Sequence, residues 1–115
     1  MKMDRNINSD GTGKYAVINM RKLKERCGHV ETFQRWTPAV EQALKTLQDE
    51  GVLEWGRIGD PDEFFLIKLK DANAEHALLA YADQAQYNGD AQWAEEVINL
   101  AERSGANNPL CKTPD

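Results

Sequence analysis

From Thr37 onward the apolar positions are spaced in ways that name the elements they belong to. Val40, Ala43, Leu44 and Leu47 recur at intervals of three and four, the stripe of an amphipathic helix. Thr37 is placed to cap that helix, and Pro38 fits its first position, where a missing N–H costs nothing. Gly51 fits the position that ends it. Trp36 stands where a hydrophobic staple begins, but Glu41 cannot complete the staple, so the indole must pack elsewhere. Val52, Leu53 and Trp55 then read as a short strand, and Gly56 to Asp62 as a turn-rich connection with an Asp-Pro step. Glu63 to Lys70 alternates like a second strand. Phe65, Ile67 and Leu69 form its core face, and Phe64, Leu66, Lys68 and Lys70 a face that runs from covered to wet.

The last third is helical in pattern. Asp71 or Asn73 caps a helix with Ala74, Ala77/Leu78, Tyr81 and Ala85 on one stripe, and Asn88-Gly89-Asp90 breaks it. Asp90 caps the next helix, which turns Ala94, Val97, Ile98 and Ala101 inward, with Trp93 and Leu100 widening the arc; Gly105 stops it. Two helices joined so tightly form an antiparallel hairpin. At the front, residues 1–13 read as a polar, mobile tail. Tyr15 to Met20 is compact and apolar, and its period fits either a strand or the start of a helix. The charged RKLKER that follows, and Gly28 as a stop, favour one helix over 15–26. Residues 28–36 are a connection, and 106–115 an irregular tail in which Leu110 docks. The layout expected is a tail over 1–13, a single α+β domain over 14–105 and a tail over 106–115.

The order helix, glycine stop, strand, loop, strand, with LKTLQDEGVLEW at its centre, resembles the winged helix-turn-helix superfamily over residues 15–70. That resemblance implies an α+β fold: a winged-helix-like core with a two-stranded hairpin, here followed by the C-terminal antiparallel helix pair. The stretch EFFLIKLKD leading into the Ala-rich helices, with AERSGANNPLCKTPD at the end, is similar to small uncharacterised proteins of phages and bacterial genomes. It implies an accessory or mobile-element context and no particular function. The outer positions of the helix after Pro38 are Glu41, Gln42, Lys45, Gln48, Asp49 and Glu50, which would meet a DNA groove with more negative than positive charge.

Charge sharpens the picture. The chain of 115 residues carries a net charge of −5, but unevenly. Residues 1–30 hold seven Lys/Arg against three Asp/Glu, residues 31–70 five against eight, and residues 71–115 two against eight. A basic front and an acidic rear can neutralise each other within a fold or between subunits. A length of 115 residues and a hydrophobic content of 41% suit one modest core. No apolar run is long enough for a membrane span, MKMDRNINSDGTGK lacks the apolar core of a signal peptide, and a cytoplasmic protein is expected. Cys27 and Cys111 are then expected as free thiols.

Candidate chemistry is sparse. Asp10-Gly-Thr-Gly-Lys14 suggests a phosphate loop, but no strand precedes Lys14 and Tyr15 follows it where Ser or Thr is needed. Cys27 and His29, with His76 and Cys111, supply only one closely spaced pair of metal ligands, where a structural zinc site needs two. Asp60 and Asp62 flank Pro61 in a turn, and Glu95 and Glu96 point apart on a helix. No catalytic, cofactor or metal residue is assigned, and no enzyme is expected. The candidate interaction residues are the basic Arg21, Lys22, Lys24, Arg26, Arg35 and Arg57, and the aromatic Trp36, Trp55 and Trp93. The expected function is a non-enzymatic interaction or accessory protein that binds a protein partner or itself. The alternative is a winged-helix-like nucleic-acid-binding regulator using the N-terminal basic segment, which the overall charge disfavours. No membrane partner is expected.

Overall fold

The computed structural model describes residues 3–28 and 36–113. Its regular elements are helices: α1 (Met20–Cys27), α2 (Pro38–Asp49), α3 (Ala74–Tyr87) and α4 (Ala91–Ala101), then a 3₁₀ turn over Gly105–Asn107. Among the described residues there is no β-strand, only an isolated parallel bridge between Asp71 and Lys112. The chain divides into two compact units, Tyr15–Phe64 and a second made of Met1–Lys14 with Phe65–Asp115.

The second unit is built on α3 and α4, which pack together across the three-residue connection Asn88-Gly89-Asp90. At the end of α3 the Asp90 N–H donates to the Ala85 carbonyl and the Gly89 N–H to that of Gln86, two crossed bonds that satisfy carbonyls the helix leaves open. Asp90 then opens α4. Its carboxylate accepts the Trp93 N–H at 3.1 Å, and that bond holds the Asp90 carboxyl below the ordinary aspartate range. Ala82, Ala94 and Val97 form the buried centre, with Met3, Leu78, Ala85 and Trp93 packed around it. Alanines at the contact let the helices approach closely. Tyr81, expected inward, is exposed, and its hydroxyl accepts the Trp93 indole N–H at 3.1 Å. Leu100 is buried in place of Ile98, which sits at the edge.

Residues 3–14 belong to this unit and fold back on themselves. The Lys14 N–H reaches the Asp4 carbonyl at 2.7 Å and the Ile7 N–H the Thr12 carbonyl at 2.9 Å. Asp10 accepts the Thr12 N–H, which keeps its carboxyl below the usual range. Met3 donates its N–H to Glu96 on α4. After α4, Ser104 is fully buried with its hydroxyl bonded to the Leu100 carbonyl. Gly105 follows with φ +57, a conformation that L side chains resist, and its N–H reaches the Leu69 carbonyl at 2.8 Å. A Cβ added there would lie 3.1 Å from Glu75 Cβ and 3.3 Å from the Ala72 carbonyl oxygen. Lys112 then exchanges bonds with Lys70 and Ala72, tying the chain's last described stretch to the entry of α3.

In the unit Tyr15–Phe64, α1 starts at Met20 rather than Tyr15. Asn19 has extended backbone, and its side chain accepts the Lys22 N–H at 3.0 Å. An N-cap placed there fixes the helix start, and the β-branched Val17 and Ile18 before it favour extended chain. The Thr37 N–H donates to the Cys27 carbonyl at 2.8 Å, setting the end of α1 beside the start of α2. α2 spans the predicted residues with Pro38 at its first turn, but Thr37 makes no side-chain cap bond, and of the expected stripe only Leu44 is buried while Ala43 and Leu47 are exposed. It ends with the Val52 N–H on the Leu47 carbonyl and the Gly51 N–H on that of Gln48. Lys45 and Asp49 pair at 2.8 Å, which raises the Lys45 pKa.

The winged-helix hairpin does not form, so the α+β fold and the superfamily likeness fall with it. Gly56 has φ +58, which ends the first candidate strand in a left-handed residue. Two successive turns follow, closed by Asp60 N–H to Arg57 carbonyl and Glu63 N–H to Asp60 carbonyl, and Gly59 N–H caps the Glu63 carboxylate. The Phe64 ring lies directly over Gly56, in the space any larger residue's Cβ would need. With the connection so occupied, no ladder bonds join residues 52–55 to 63–70. Alternation gave the strand signal, but a two-stranded ribbon alone is marginal in water, and no third strand is present among the described residues to cover it. The phage-accessory resemblance rested on the same strand leading into the helix pair, and it loses that basis too.

Candidate interaction surface

The core face expected of the second strand is largely open to solvent. Phe65 is 88% exposed and Ile67 36%, while Phe64 is 61% and Leu66 52% exposed. These four residues sit between the turn ending at Glu63 and the turn in which Asp71 N–H meets the Lys68 carbonyl. Among the described residues no backbone N–H or C=O of residues 64–67 is hydrogen-bonded. The run is thus apolar in its side chains and unpaired in its backbone. Ile58, at 95% exposed, tips the loop before it.

The basic candidates lie elsewhere. Arg21, Lys22, Lys24 and Arg26 are all exposed on α1, with Arg21 4.0 Å from Glu25 one turn on. Arg57 stacks over the Trp55 ring, 5.2 Å from its centroid, and the Trp55 indole N–H donates to Gln48 on α2 at 3.1 Å. The structure therefore brings Trp55 and Arg57 together in one cation–π contact. Trp36 is buried, and Trp93 is half-buried against the α3–α4 core. Arg35 lies outside the described residues, as does His29.

Cys27 and Cys111 are free thiols. Among the described residues no three His, Cys, Asp or Glu side chains gather as metal ligands would, and no helix is long and apolar enough to cross a membrane. Sequence reasoning misses Phe65–Ile67 as a surface because its alternation reads as a core face. The available signal was the disparity of the two strands: four residues with Glu54 among them cannot cover a run holding Phe-Phe-Leu-Ile. No protein-family model, no curated protein and no solved structure matches the chain.

Proposed function

We propose that the chain is a non-enzymatic protein-interaction module, and that Phe65–Ile67 is its contact surface. One observation carries this reading: three consecutive large apolar residues are open to solvent with an unpaired backbone. Contiguous exposed apolar surface marks interaction sites. An open backbone edge adds a row of donors and acceptors that a partner strand can satisfy. A cytoplasmic setting belongs to the same proposal.

The test is Phe65→Ser/Ile67→Ser, compared with the wild type in binding a dye that brightens on apolar surface. The double variant should keep its helical circular dichroism and lose most of the dye signal. Loss of the helices instead would show that the run is core, and the reading would fall.

A second reading, binding of a polyanion by α1, has in its favour the exposure of four basic side chains on eight residues. It predicts salt-sensitive retention on heparin that Arg21→Glu/Lys24→Glu abolishes. A wild type that elutes at the same salt as the double variant would remove it.

A further inference from the structure

Residues 15–27, all within one compact unit, set two kinds of exposed surface side by side. Tyr15, Val17 and Ile18 are 67%, 64% and 46% exposed in the chain that leads into α1. In α1 itself Met20, Leu23 and Cys27 recur at intervals of three and four and are half-buried, so they form its inner side. Arg21, Lys22, Lys24 and Arg26 take up the rest of the helix circumference, and all four are exposed. Glu25 is the one acid on the helix, 4.0 Å from Arg21. An exposed apolar approach thus runs directly into a basic helix.

Together these features name the polyanion, on the premise of the second reading above that α1 binds one. A nucleic-acid backbone draws its affinity from the basic groups and leaves Val17 and Ile18 in water. An anionic bilayer takes both parts. Its headgroups attract lysine and arginine, and its headgroup–acyl boundary accepts aliphatic side chains, with tyrosine favoured at the same depth. No backbone hydrogen bond engages residues 16–18, which suits the wet headgroup level and excludes the hydrocarbon core. Surface contact of this kind needs no spanning helix, and among the described residues no helix is long and apolar enough to be one. The chain's net charge of −5 opposes the approach. Salt screens that field beyond about 8 Å at physiological ionic strength, so the groups touching the surface decide.

We propose that residues 15–26 form a peripheral membrane-binding segment selective for anionic phospholipid. Val17 and Ile18 enter the headgroup–acyl boundary, and Arg21, Lys22, Lys24 and Arg26 contact the headgroup phosphates. Each part is weak alone, so the binding is reversible and needs both.

Co-sedimentation of the full chain with vesicles tests this, using phosphatidylcholine alone and phosphatidylcholine mixed with phosphatidylserine. The wild type should bind the mixed vesicles, spare the neutral ones and release as salt rises. Arg21→Glu/Lys24→Glu and Val17→Ser/Ile18→Ser should each weaken binding by about tenfold or more, and Glu25→Lys should tighten it severalfold. Circular dichroism checks that each variant keeps its helices. Val17→Ser/Ile18→Ser should also leave retention on heparin unchanged. Equal binding to both vesicle types overturns the proposal, as does an aliphatic variant that binds like the wild type or a Glu25→Lys chain that binds no better. Retention on heparin or a DNA duplex without vesicle binding overturns the lipid assignment and leaves α1 as a polyanion site. Failure to bind any of them overturns both.

Discussion

The run Phe65–Ile67 is more apolar in sequence than the α3–α4 pair, yet the pair is closed and the run is open. In the helix pair the backbone is satisfied within each helix, so Ala82, Ala94 and Val97 need only a facing stripe three residues down the chain. In the run the backbone has no internal partner, and its side chains are covered only if another strand arrives. Local hydrogen bonding makes a helix a finished surface, whereas a strand is half of one.

That contrast predicts opposite responses to truncation. Leu100→Ala, inside the pair, should destabilise the unit by about 2–5 kcal/mol in urea unfolding, the cost of a buried leucine and its cavity. Gly105→Ala should cost about 1–2 kcal/mol, since it forces a side chain into a left-handed residue pressed against Glu75. A stability equal to wild type would mean that the Gly105 turn can move away from α3. Asn19→Ala should cost about 1 kcal/mol of α1 stability, read as fraying of Met20–Glu25 in amide exchange.

Acid should loosen the helix pair at Asp90. Its folded pKa is depressed by the Trp93 N–H, so the cap's contribution is complete above the ordinary aspartate pKa of about 3.9 and is lost as pH falls through the lower folded value. Asp90→Asn, which can cap without titrating, should remove that part of the acid sensitivity in thermal melts between pH 5 and pH 2. Persistence of the full slope in the variant would assign it to other carboxylates. Smallest of all, Phe65→Ser should change the stability of the dilute protein by no more than about 0.5 kcal/mol, as surface substitutions do.

What the sequence made legible follows the same division. Pro38, Gly51, the Asn88-Gly89-Asp90 break and the Asp90 cap were all readable, because each acts on neighbours a few residues away. The expected start of α1 lies five residues before the observed one, since Asn19 competes as a cap inside a continuous apolar stretch. The fold class failed at residues 52–70, where alternation identifies a chain suited to a sheet but is silent on whether a partner strand exists. The same error hides the candidate surface: alternation places Phe65 and Ile67 inward, whereas both are solvent-accessible, Phe65 almost completely. The tryptophans were singled out by residue type alone, and type does not say that Trp36 is buried while Trp55 turns to Gln48 and Arg57.

One hydrogen-exchange experiment on the dilute protein reads both regions together. The amides of residues 64–67 should exchange at the rate of unstructured chain, while those of Val97–Ala101 should be protected close to the limit of global unfolding. Protection of residues 64–67 comparable to that of α4, at a concentration where the chain is monomeric, would contradict the claim that this run is an open surface.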